Sequence, residues 1–152
     1  MYRFISFALV GVAPLLLACG TPQPVSQESQ QQASELLQTG RLLYGEGNVT
    51  DAIVNYSDAI ALDPNNAIAY ANRGGALAAQ EDYGKAIADY DCAIRLDPSM
   101  AGAYGGRGLA HHLSGDTSTG VADLWEAAQL FREQGRMDDY YRTLTIIQRL
   151  AP

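Results

Sequence analysis

The apolar positions change rhythm twice along the chain. From Phe4 to Ala18 they run almost without a break, and from Gly20 to Gln32 they all but vanish. From residue 33 to Leu150 they recur every three or four residues, interrupted by polar turns such as "LDPNN" and "LDPSM". A recurrence of three to four is the stripe of an amphipathic helix. Pro64 and Pro98 mark stops, since proline lacks the amide a continuing helix needs and biases its predecessor away from the α region. The pattern predicts an all-α fold of short helices joined by tight turns.

The helical part also repeats. "NYSDAIALDPNNAIAY" at 55–70 is echoed by "DYDCAIRLDPSMAGAY" at 89–104, and a shift of 34 superposes Gly40 on Gly74, Gly74 on Gly108, Tyr56 on Tyr90 and Pro64 on Pro98. This period, with its small and aromatic positions, resembles the tetratricopeptide repeat. The units are 33–66 (Leu36, Gly40, Leu43, Ala52, Tyr56, Ala59, Pro64), 67–100 (Tyr70, Gly74, Leu77, Tyr83, Ala86, Tyr90, Ala93, Pro98) and 101–134 (Tyr104, Gly108, Leu124, Ala127). The third unit departs by placing Gly120 where alanine is usual and Arg132 where proline is usual. Its second helix is therefore expected to run on to about Gln134 and stop at Gly135. The resemblance implies a right-handed superhelical solenoid of about three helix-turn-helix units. A C-terminal capping helix in 135–152 would cover the last unit with Met137, Tyr140, Tyr141, Leu144, Ile147 and Leu150.

The first eighteen residues follow another logic. Phe4–Ala18 falls short of the roughly 20 apolar residues that cross a bilayer as a helix. With Arg3 before it and small residues after it, the run has the layout of a secretory signal peptide. Within that layout, Leu16-Leu17-Ala18-Cys19 resembles the bacterial lipobox. That resemblance implies cleavage before Cys19 and diacylglycerol on its thiol, hence an exported protein held on a membrane by lipid. Gly20 in place of aspartate then favours the periplasmic face of the outer membrane if the host is Gram-negative. Ordinary cleavage after Gly20, using Ala18 and Gly20 as the small pair, is the alternative, disfavoured because Leu16 is too large for that enzyme. Residues 20–32, "GTPQPVSQESQQQ", are too polar to bury a core and read, with Cys19, as a disordered tether. If Cys19 is alkylated, Cys92 has no partner within the chain, and the reading is a small hydrophobe tucked against a neighbouring helix.

Charge and side-chain chemistry narrow the function. The net charge is −7 at pH 7, which opposes binding to nucleic acid or to anionic lipid. Adjacent His111 and His112 point about 100° apart on a helix and lack further ligands, so no metal is expected. "YGGRG" at 104–108 lacks the Lys-Ser/Thr of a phosphate loop, and "DYD" at 89–91 lacks calcium-loop spacing. No nucleophile lies near a plausible base, so neither catalytic role nor cofactor is expected. What the resemblance does imply is a concave groove lined by the first helix of each unit. Its residues would be Ser34, Leu37, Arg41 and Tyr44, then Ile68, Ala71, Gly75 and Ala78, then Gly102, Gly105, Leu109 and His112. The lysine and asparagine with which some family members clamp a peptide carboxylate are absent from these positions. The expected function is a protein-interaction scaffold in the cell envelope, its partner another envelope protein or peptide. The alternatives are an accessory subunit that self-associates through the groove, or a secreted protein without lipid.

Overall fold

Helix ends in this chain are written by capping chemistry that recurs with the repeat. The computed structural model describes Cys19 and residues 24–150, and the apolar run 4–18 lies outside them. Among the described residues the elements are α1 (Gln27–Gly45), α2 (Val49–Leu62), α3 (Ala67–Ala79), α4 (Tyr83–Leu96), α5 (Ala101–Leu113), α6 (Thr117–Glu133) and α7 (Met137–Leu150), with no strand. Within each unit the turn is closed by one left-handed residue: Gly47 (φ 84°), Glu81 (φ 62°) and Gly115 (φ 101°) stand at equivalent positions. The next residue begins the second helix, and there the side chains of Asp82 and Asp116 accept from the amides of Lys85 and Thr119. An N-cap of this kind satisfies an amide that the helix itself cannot. Without a proline, α6 continues to Glu133 and ends at left-handed Gly135 (φ 71°), as expected.

Each unit is a helix pair closed over alanine. Ala52, Ala59, Ala86, Ala93 and Ala127 have no exposed surface at all. The larger filler is Tyr56, Tyr90 or Leu124, set against glycine on the first helix. A Cβ at Gly40 would lie 2.6 Å from the Tyr56 ring, and one at Gly74 would lie 3.3 Å from the Tyr90 ring. Fully burying a side chain of this size stabilises by about 1.5–3 kcal/mol. Along the stack, α1 touches α3 and α3 touches α5, while no comparable contact joins α2 to α4 or α4 to α6. First helices therefore form the inner row of the solenoid, and second helices spread on the outer row.

Three expectations change. Residues 27–32 are not tether but the start of α1, where Ser26 accepts from the Ser29 amide and Gln31 donates to Glu35. In α7 the covering face is Tyr140, Thr143, Leu144, Ile147 and Leu150, whereas Met137 and Tyr141 are exposed at 40% and 59%. The pair 140 and 144 with 143 and 147 forms one stripe, and Tyr141 falls 100° away from Tyr140. The third change is covalent: Cys92 is not a lone thiol but is bridged to Cys19, with Cα atoms 5.4 Å apart. The backbone carbonyl of Cys19 also accepts a hydrogen bond from Arg95 at 2.9 Å.

Candidate binding groove

The inner row presents less of the expected groove than the repeat frame suggests. Arg41 and Tyr44 on α1, Ile68 on α3, and Gly102 and Leu109 on α5 are exposed, as is Ser34. Ala71, Gly75, Ala78 and His112 are half-buried. Leu37 and Gly105 do not line the groove. Leu37 is 9% exposed and belongs to the core with Ala33, Tyr56 and Ala59. A Cβ at Gly105 would meet the Ala127 methyl at 3.7 Å. Both occupy the same repeat position, and that position turns toward the second helix of its own pair. Ala71, in the same register, packs against the core of the second unit.

Two polar groups beside this face were not among the residues expected to line it. Tyr90 rises from α4 between α3 and α5, so that its hydroxyl lies 3.5 Å from where a Gly75 side chain would begin. Gly106 leaves the space on the other side, since a Cβ there would overlap the same phenol ring. Burial pushes the Tyr90 hydroxyl up to about 12, helped by the neighbouring Tyr44 and Asp89. It is therefore a neutral donor at physiological pH. Asn72, four residues from Ile68 and three from Gly75, shares their face of α3. Its Nδ2 is buried without a hydrogen-bond partner. An unmet buried donor costs about 1–3 kcal/mol. Arg41 has no ion-pair partner among the described residues. At the far end of the row, His112 Nδ1 lies 2.9 Å from the Thr117 hydroxyl, which ties it to the start of α6.

The outer row is organised by charge instead. Arg73 on α3 forms a two-pronged pair with Asp89 on α4 at 2.7 and 2.8 Å, and reaches back to Ser57 on α2 at 3.1 Å. One repeat later, Arg107 on α5 pairs with Asp123 on α6 at 2.8 and 2.7 Å, and reaches back to Asp91 on α4 at 2.6 Å. Hydrogen bonds donated to these carboxylates push both guanidinium groups above their ordinary range. Planar, forked arginine suits this task because it can face two partners at once. Each arginine thus laces three consecutive helices together. The cleft beside the first lacing, about 390 Å³, is lined by Ile53, Leu77, Lys85 and Arg73, each of whose guanidinium nitrogens already donates to a partner.

A family model described as tetratricopeptide repeat matches residues 37–101 and 78–124. The chain belongs to the tetratricopeptide-repeat family. Among solved members, the second such domain of Spaghetti (RPAP3), bound to the HSP90 peptide SRMEEVD, is 33% identical. That match covers 68% of this chain and 96% of that one, with a TM-score of 0.66. The first domain of the same protein, with the same peptide, is 25% identical over 84% of this chain and 98% of that one, at a TM-score of 0.71. The Sgt2 domain from Aspergillus fumigatus is 25% identical over 82% and 80%, at 0.70. This tetratricopeptide-repeat chain is thus similar to domains that hold a peptide, and its solenoid has the family's form. Among the described residues no helix is long and apolar enough to cross a membrane, and no group of three or more potential ligands could hold a metal ion.

Proposed function

We propose that this tetratricopeptide-repeat protein is an interaction scaffold whose inner face holds an extended peptide segment of a partner protein. The observation that carries this reading is the exposed row of Arg41, Tyr44, Ile68 and Leu109 on the first helices, with the unmet, buried Asn72 Nδ2 beneath it. Nearby lie further donors without a carboxylate of their own: the Tyr90 hydroxyl and the Arg41 guanidinium. An extended peptide offers a row of backbone carbonyls, acceptors matched to donors spaced along a groove. Exposed Ile68 and Leu109 supply apolar contact between them. The peptide held by the Spaghetti domain supports the mode of binding, not the identity of the partner.

The test is a peptide array on the full chain, followed by calorimetry on the best ligand. Ile68→Glu and Leu109→Glu place a carboxylate in the contact, and an unpaired desolvated carboxylate costs about 1–3 kcal/mol. Affinity should fall by roughly tenfold to a hundredfold, with the melting temperature unchanged because both side chains are exposed. Retained affinity in both variants rejects the inner face as the site.

The place of action belongs to the same proposal. The signal-peptide layout and the lipobox-like residues support export and a lipid anchor on Cys19, with an envelope protein as partner. Two or three acyl chains hold a protein stably, where one does not. The mature protein should then enter the detergent phase, and Cys19→Ala should keep it aqueous. A wild-type chain that stays aqueous with its N-terminus at Thr21 supports ordinary secretion instead.

A further inference from the structure

Cys92 occupies a register of the repeat that faces solvent. Its equivalents one repeat away on either side, Asp58 on α2 and Glu126 on α6, are both exposed. Cys92 itself is only 1% exposed, and Cys19, at 5%, is bonded to it. Three residues further along the same stripe of α4, Arg95 binds the Cys19 carbonyl. The cover over Cys92 thus includes an N-terminal residue attached from outside, not only the helix packing that buries Ala93 beside it.

We infer that Cys92 is a thiol site on the outer face of the second repeat, with the Cys19 sulfur as its partner, and that this bridge and any alkylation of Cys19 are mutually exclusive. The first statement stands on register, burial and the Cys19–Cys92 bond. The second rests on the anchoring proposal. In bridge formation two thiols give up two protons and two electrons to a disulfide donor, which leaves as two thiols. The route is thiolate attack on the donor, followed by attack of the second cysteine on the mixed disulfide. Such a bridge persists in an oxidising compartment outside the cytosol. A thioether on Cys19 removes the sulfur needed for it and leaves Cys92 as a single exposed thiol. Bridged, the N-terminus is fastened to the side of the solenoid; alkylated, it is free to reach a bilayer.

The experiment uses the full chain, made without lipid processing and oxidised with oxidised glutathione, and a maleimide reagent as probe. In the folded oxidised protein neither cysteine should label, and both should label after reductant. In Cys19→Ser, Cys92 should label completely in the folded state without denaturant. If Cys92 in that variant labels only on unfolding, it is a core residue and the inference is overturned. If the oxidised chain labels at both cysteines, Cys19 is not its partner, which also overturns it. Protein extracted from membranes should carry one free thiol, at Cys92. A bridged Cys19 in that fraction overturns the lipid anchor, while the thiol site at Cys92 survives on the Cys19→Ser result.

Discussion

The second and third repeats close the same helix pair with different atoms. In the second, Gly74 meets the Tyr90 ring, and a Cβ there would be 3.2 Å from the Ala86 carbonyl. In the third, glycine faces glycine: a Cβ at Gly108 would lie 2.7 Å from the Gly120 carbonyl, and one at Gly120 would lie 2.5 Å from the Gly108 carbonyl. Backbone thus approaches backbone more closely in the third pair, where Gly120 stands in the place of Ala86 and Leu124 in the place of Tyr90. Their outer lacing differs in the same orderly way. Arg107 holds two carboxylates, Asp123 and Asp91, while Arg73 holds one carboxylate and the Ser57 hydroxyl. One architecture therefore tolerates loss of a side chain in one place and gain of a charge in another, provided each helix keeps a partner of matching size.

The charge difference gives the largest effect. Asp89 is 6% exposed and, among the described residues, is the one carboxylate paired with Arg73. Asp89→Ala leaves that guanidinium partly buried, with only a hydroxyl to face. Breaking a buried pair from one side costs about 3–5 kcal/mol. Asp123→Ala should cost less, because Asp91 stays within 2.6 Å of Arg107. Urea titration of both variants measures the order. Equal losses, or a larger loss from Asp123→Ala, would show that Asp91 contributes nothing.

The packing difference comes next. Alanine is the usual residue where Gly120 stands, so a repeat consensus would favour Gly120→Ala, and alanine is the better helix former by about 1 kcal/mol. The structure reverses that sign. The added methyl overlaps the Gly108 carbonyl and comes within 3.0 Å of the His112 amide, and backbone cannot swing aside as a side chain can. Overpacking of this kind costs about 1–3 kcal/mol. Gly84→Ala, with nothing within 4 Å of the new methyl, is the matched control and should be neutral or stabilising. If Gly120→Ala raises the melting temperature as the control does, the third pair is looser than described.

How much of this was legible beforehand follows from the range of each interaction. Helix ends were legible because Pro64, Pro98 and Gly135 act on their own neighbours. The start of α1 was not, since Gln27–Gln32 bury too little to show a stripe, although glutamine and glutamate favour helix and Ser26 supplies a cap. Arg73–Asp89 and Arg107–Asp123 join helices sixteen residues apart, a spacing that no single-helix periodicity reveals. The 34-residue frame contained the signal, because both pairs repeat in register. Leu37 and Gly105 were assigned to the groove by resemblance, and only the helix-pair geometry shows their row turning inward. The register of Cys92 is likewise carried by the 34-residue frame, which sets it equivalent to the charged Asp58 and Glu126, while its bond to Cys19 has no signal in that frame. Asn72 lay on the same face as Ile68 and Gly75, and only its unmet amide sets it apart.

The smallest effect sharpens the comparison by making the second repeat resemble the third. Ser57 and Asp91 are equivalent positions, each facing the arginine of the next unit. Ser57→Asp should supply Arg73 with the second carboxylate that Arg107 already has. The gain is bounded on three sides. Arg73 is already matched by Asp89, so the new charge adds to a satisfied pair. Asp91 keeps 54% of its side-chain surface in its own pair, so an aspartate at 57 would also be well hydrated, and exposed pairs contribute about 0–1 kcal/mol. The chain is acidic at −7, so one more negative charge adds self-repulsion. The expected outcome is a stabilisation of a few tenths of a kcal/mol in low salt, shrinking as salt screens the pair. The lacing also predicts coupling: in a double-mutant cycle, Ser57→Asp should offset part of the loss from Asp89→Ala, because the stranded guanidinium regains a counter-ion. Strict additivity of the two substitutions would mean that Arg73 does not bridge α2 and α4.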